Sequence, residues 1–116
     1  MQVSGSVLVC DSIDQAGIDS LKRAGLHVDY NPEIKPNELL ATAGKHEVIV
    51  VRSRTKITKD VVNAASRAKI IARVGVGLDN VDVKAAEAKS IRVINAPEAA
   101  STAVAELALG LMLSLA

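Results

Sequence analysis

Two short aliphatic runs, VIVV at 48–51 and KIIA at 69–72, carry no alternation of apolar and polar residues. A strand with one wet face alternates; a strand covered by helices on both faces does not, so these runs predict the centre of a parallel sheet. The rest of the chain repeats the same unit. β-Branched segments at 7–10, 27–30, 48–51, 69–74 and 92–94 alternate with helical patterns at 13–24, 37–42, 59–65, 83–89 and 103–116. Strict alternation predicts an α/β, doubly wound, flavodoxin-like fold, in which right-handed crossovers place five parallel strands in the order 2-1-3-4-5. Local signals agree. Gly25 and Gly44 stand where helices should stop, and Thr58 and Asp82 stand where a side-chain oxygen can cap the helix that follows.

Composition removes several classes of function. Fourteen basic against 13 acidic residues leave a net charge of +1, and the chain has no Phe, no Trp and one Tyr. It therefore has neither the field nor the stacking platform that nucleic acid requires. A single cysteine, Cys10, excludes an internal disulfide and a Cys-rich zinc site, and fits a reducing cytoplasm. The start MQVSGSVLVC lacks the basic head and long apolar core of a secretory signal, and the aliphatic segment 103–116 is too short to span a bilayer. That segment has only Glu106 and Ser114 as polar groups, so it is apolar around nearly its whole circumference. It is expected to begin a helix connecting a substrate-binding domain, 1–102, to a nucleotide-binding domain beyond; the alternative is a central helix inside this sheet.

In an open α/β sheet, ligands sit at the carboxyl ends of the strands. These ends read CDSID, VRSRTK, ARVGVGLDN and INAPEAAST for strands one, three, four and five. Arg52 and Arg73 leave neighbouring strands, with Ser53, Arg54 and Lys56 close behind. Guanidinium forks match carboxylate and phosphate oxygens, so this edge suits a small anion; the alternative is basic residues solvated at loop ends. The turn Gly75-Val76-Gly77 fits either an anion nest of backbone N–H groups or a tight turn that needs positive φ. It is not the dinucleotide fingerprint, because Asn80 stands where the third glycine is needed. Asp79, Asn80 and Asp82 read as turn and cap residues. His27 and His46 fall at the opposite edge and Cys10 reads as a buried thiol, so no catalytic base is evident at the strand exits. Arg52, where a receiver domain needs its phosphoacceptor aspartate, excludes that reading of the fold.

The segments VRSRTKIT, ARVGVGLDNVDVKAA and INAPEAASTAVAELALGLML resemble the N-terminal part of D-isomer-specific 2-hydroxyacid dehydrogenases, over nearly the whole chain. Within that family the phosphoglycerate-oxidising members are the most similar. The resemblance implies an NAD-dependent two-domain oxidoreductase, homo-oligomeric when intact, that converts 3-phosphoglycerate to 3-phosphohydroxypyruvate at the opening of serine synthesis. It implies that Arg52 and Ser53 hold the substrate phosphate, that Arg54 adds charge, and that Arg73 faces the substrate. The Gly75, Val76 and Gly77 backbone would meet the substrate carboxylate, with Val76 approaching the nicotinamide. The family's catalytic arginine, glutamate and histidine, and its nucleotide fingerprint, belong to later sequence, so these 116 residues alone are expected to be inactive and NAD to be bound mainly elsewhere. Ala100 departs from the Asn that many phosphoglycerate enzymes carry. That departure keeps open another D-2-hydroxyacid, as in a glyoxylate reductase, and a non-enzymatic corepressor-like module that senses a dinucleotide is the further alternative.

Overall fold

A computed structural model describes residues 5–75 and 77–96 of the chain. Five strands, β1 (Ser6–Val9), β2 (His27–Tyr30), β3 (Val48–Val51), β4 (Ile70–Val74) and β5 (Arg92–Ala96), alternate with α1 (Gln15–Arg23), α2 (Pro36–Thr42), α3 (Lys59–Ala64) and α4 (Val83–Ala88). All strand pairs are parallel, in the order β2-β1-β3-β4-β5 that the alternation predicts. The expected helix at 103–116, and with it the expected domain limit, lies outside the described residues.

Burial follows from the pleat. Odd and even positions of a strand face opposite layers, and in the central strands both layers are closed. Leu8, Ile49, Val51 and Ile71 meet Leu39 of α2, Ala43 directly after it, Val61 and Val62 of α3 and Ala86 of α4. Val7, Val9, Val48, Val50, Ile70 and Ala72 face the other side, toward Leu21 of α1 and Leu26. Every residue of β3 and β4 is buried, whereas the edge strand β2 is largely exposed. This is the pattern that its polar sequence HVDY demands.

Two boundaries differ from expectation for local reasons. α1 begins at Gln15 and not at 13, because Asp14 takes an extended cap conformation and half-buried Ile13 packs under the sheet. β5 runs on to Ala96, because its ladder with β4 continues to the Val74–Ala96 pair. Gly44 is not a left-handed helix stop: it lies within a 3-10 turn, Ala43–Lys45, where an added Cβ would approach the Ala64 carbonyl to 2.8 Å. Close backbone approach is its reason for being glycine. Gly25, at φ 90°, does terminate α1 as predicted. Among the described residues no helix is long and apolar enough to cross a membrane.

Candidate functional site

Because β1, β3, β4 and β5 are consecutive neighbours, their exit loops meet along one edge of the sheet. β1 delivers Asp11, which is 2% exposed. Its Oδ2 accepts from the Arg52 backbone N–H at 2.6 Å and from that of Thr55 at 3.2 Å. Its Oδ1 accepts from the Thr55 hydroxyl and pairs with Arg54 Nε at 2.9 Å. The β3 exit therefore wraps around a buried carboxylate, and four donors compensate for the water that the carboxylate has lost.

The positive charge expected here is only partly available. Arg54 gives Nε to Asp11, Nη1 to the Ile34 carbonyl at 3.3 Å, and Nη2 to the Cys10 and Pro32 carbonyls at 2.7 and 3.0 Å. Of the five donors of a guanidinium, one Nη1 N–H remains for a ligand. Arg52 is held through main chain and side chain: the backbone N–H donates to Asp11, the carbonyl accepts from Asn80 Nδ2, and the side-chain Nη1 donates to the Ser12 carbonyl at 3.2 Å. Arg52, Ser53 and Arg54 line one open cleft of about 480 Å³, with Asp11, Ser12, Pro32 and Glu33. Lys56 belongs instead to a more apolar groove beside α2 and α3.

The glycine turn forms a second, adjoining part of the edge. Gly75 and Gly77 have φ of 132° and 87°, conformations that L side chains rarely adopt. Gly75 has a further constraint, since a Cβ there would sit 2.8 Å from Arg73 Nη1. Arg73 is buried and gives Nε to Asn80 Oδ1 at 3.0 Å. Asn95, within β5, donates its amide to the Gly77 carbonyl at 2.7 Å and so holds the turn. The structure thus places Arg52, Ser53 and Arg54 in one cleft and Arg73, Gly75 and Gly77 beside it. Val76 lies outside the described residues.

Asn80 joins the two parts and corrects its reading as a mere turn residue. It is 5% exposed, and its Nδ2 donates to the Arg52 and Thr55 carbonyls while its Oδ1 receives Arg73. Asp11 was equally hidden as a site residue. The signal that points to both is a short polar side chain directly after a buried strand or turn, opposite loops rich in donors. Asp82 is a helix cap as expected, accepting from Ala85 N–H at 3.0 Å. Burial, with Asp11 adding to it and Arg54 opposing, pushes the Cys10 thiol up to about 12, so it is no nucleophile. His46 lies at the opposite end of the sheet, against Ser6 and Asp29. Among the described residues no cluster of three His, Cys, Asp or Glu is placed to hold a metal.

A doubly wound parallel sheet with arginines and a glycine turn at its strand exits has the arrangement of an open α/β domain, the class whose strand exits are the usual place for a ligand. The chain belongs to the D-isomer specific 2-hydroxyacid dehydrogenase family, whose catalytic domain matches residues 7–110. It is 46% identical to D-3-phosphoglycerate dehydrogenase of Synechocystis sp. over 110 residues, 95% of this chain and 20% of that protein. It is 49% identical to hydroxypyruvate reductase of Thermotoga maritima over 83 residues, 72% of this chain and 27% of that protein. Among solved structures, cofactor (NAD+) bound 3-phosphoglycerate dehydrogenase of Entamoeba histolytica matches with a TM-score of 0.71 at 25% identity, over 80% of this chain and 33% of that one. The chain spans about a fifth of the length of the D-3-phosphoglycerate dehydrogenase that it matches.

Proposed function

We propose that the chain is the substrate-binding part of an NAD-dependent dehydrogenase acting on 3-phosphoglycerate, with Arg52 and Ser53 as the phosphate contacts. The observation that carries this reading is Arg52 on the wall of the cleft, its main chain anchored by Asp11 on one side and Asn80 on the other. The guanidinium is itself held by Nη1 donating to the Ser12 carbonyl at 3.2 Å, so it has less freedom to lose on meeting an anion. Arg54 adds its charge and one remaining N–H, and Arg73 with the Gly75–Gly77 turn serves the carboxylate end. We assign residues 1–102 to this domain and 103–116 to the connection with a nucleotide-binding domain.

NAD is the cofactor of the proposed enzyme, but these residues do not form its phosphate cradle. The position of the third glycine holds Asn80, whose amide is committed to three partners, and Gly75 is packed on Arg73. The dinucleotide is therefore assigned mainly to residues outside this domain, with Val76 as the residue that approaches the nicotinamide.

The likeness to hydroxypyruvate reductase favours a second reading, an enzyme that interconverts a phosphate-free 2-oxoacid and its 2-hydroxyacid. One experiment separates the two. In the full-length protein, Arg52→Ala removes a charge-assisted contact worth about 1.5–3 kcal/mol. KM for 3-phosphoglycerate is expected to rise about 10- to 150-fold with a smaller loss of kcat, while kcat/KM for a phosphate-free 2-hydroxyacid barely changes. Equal loss on both substrates would exclude Arg52 as the reader of phosphate, and activity confined to the phosphate-free acid would establish the second reading.

A further inference from the structure

A buried carboxylate behind an anion-binding cleft is an electrostatic disadvantage, since it repels the ligand that the arginines attract. The structure nevertheless places Asp11 there, and all four of its donors come from one loop: Arg52 N–H, Arg54 Nε, Thr55 N–H and the Thr55 hydroxyl. These partners lie more than 40 residues away in sequence, so the contacts are built by the β1–β3 neighbourhood and not by a local turn. The residues after β3 have no regular secondary structure of their own up to Ile57, where an isolated bridge to Val81 begins. Their conformation is held by the carboxylate beneath them, together with the Asn80 amide on the Arg52 and Thr55 carbonyls.

Resting on the substrate reading above, we propose that Asp11 is a positioning residue that sets specificity for the phosphorylated hydroxyacid. It holds the Arg52 backbone so that its guanidinium reaches the cleft, and it draws Arg54 back as a clamp across the Cys10, Pro32 and Ile34 carbonyls. Charge and position make opposite predictions for this residue, which gives the test its sign. If charge alone mattered, Asp11→Asn would add one net positive charge behind the cleft and tighten binding of a phosphorylated ligand. If position matters, the amide accepts only at its single oxygen and turns an NH2 donor toward N–H or O–H donors, so the loop loses its template and binding weakens.

The experiment compares wild type with Asp11→Asn in the full-length protein, reading KM and kcat for 3-phosphoglycerate and for a phosphate-free 2-hydroxyacid, alongside circular dichroism. The expected result is a rise of about tenfold to a hundredfold in KM for 3-phosphoglycerate, the scale of a small misplacement of a binding group. kcat and the phosphate-free substrate should change several-fold less. A fall in KM, no change, or equal damage to both substrates overturns the proposal. Should Asp11→Asn not fold, Thr55→Val decides: it removes one donor to the carboxylate and keeps the charge, and is expected to raise KM for 3-phosphoglycerate by a smaller factor in the same direction. An unchanged KM in Thr55→Val would then overturn it. A wild-type protein that ignores 3-phosphoglycerate would defeat the substrate reading, whereas an active wild type with unaffected variants would defeat the role of Asp11 alone.

Discussion

Asn80 shows how much one buried amide can hold. Its three hydrogen bonds reach two carbonyls of the β3 exit and the guanidinium of Arg73, so it ties the cleft to the glycine turn. Asn80→Ala removes these three hydrogen bonds in a largely buried region, at a cost of about 2–3 kcal/mol. Asn80→Asp keeps the Arg73 contact but turns a carboxylate toward two carbonyls, so it should destabilise as well. Urea unfolding of both variants is expected to show lower midpoints with an unchanged slope; midpoints equal to wild type would mean that water replaces the amide. The arginines were legible in the sequence because strand ends and charge can both be counted. Asp11 and Asn80 were not, because an Asp after a strand or an Asn in a turn ordinarily bonds its own neighbours. Their burial arises only when a loop 25 to 44 residues distant in sequence closes over them.

The helices beside the site are short, and this makes their caps important. α3 and α4 have six residues each, below the length at which a helix persists by itself. Thr58 accepts from Val61 N–H at 3.3 Å and Asp82 from Ala85 N–H at 3.0 Å. Both caps were readable from sequence, as were the strands, because capping and two-sided burial leave local marks; the reason for Gly44 was not, since it depends on where Ala64 lies. Thr58→Ala and Asp82→Ala should each cost about 0.5–2 kcal/mol. The two sites are coupled: Ile57 N–H donates to the Asn80 carbonyl at 2.8 Å, and Asp82 N–H donates to the Ile57 carbonyl at 2.9 Å. Loss of either cap frays this shared bridge, so the double variant should lose less than the sum of the single losses. Thermal unfolding of the three variants measures the difference, and strict additivity would show that the bridge does not transmit fraying.

At the scale of the whole molecule the two ends of the sheet differ. The carboxyl end carries the proposed anion cleft, while the amino end is closed by a cluster of titratable side chains. There the Ser6 hydroxyl lies 2.6 Å from His46 Nδ1, and His46 Nε2 lies 3.6 Å from Asp29 Oδ2. Glu47 accepts from the Ser6 backbone N–H at 2.9 Å and pairs with Arg67. Burial holds the His46 pKa below its ordinary 6.5, outweighing the opposing pull of Asp29 and Glu47, with His27 and Arg67 adding to the depression. For Glu47, burial alone would raise the pKa, but the Ser6 N–H and the Arg67 guanidinium together hold it below 4.5. Both groups therefore bind protons more weakly in the folded chain than in the unfolded one, and stability rises with pH through each window. The contribution of His46 is complete above 6.5 and is lost as pH falls through its lower folded value. That of Glu47 is complete above 4.5 and is lost as pH falls through its own. Unfolding temperature measured from about pH 8 down to about pH 3 should be level at first, decline from near 6.5, and decline again below 4.5. His46→Gln should remove the first decline and keep the second, because glutamine does not titrate and leaves the Glu47 contacts in place. If the variant retained the first decline, the acid sensitivity would belong to groups outside this cluster, and the amino end of the sheet would be a passive boundary.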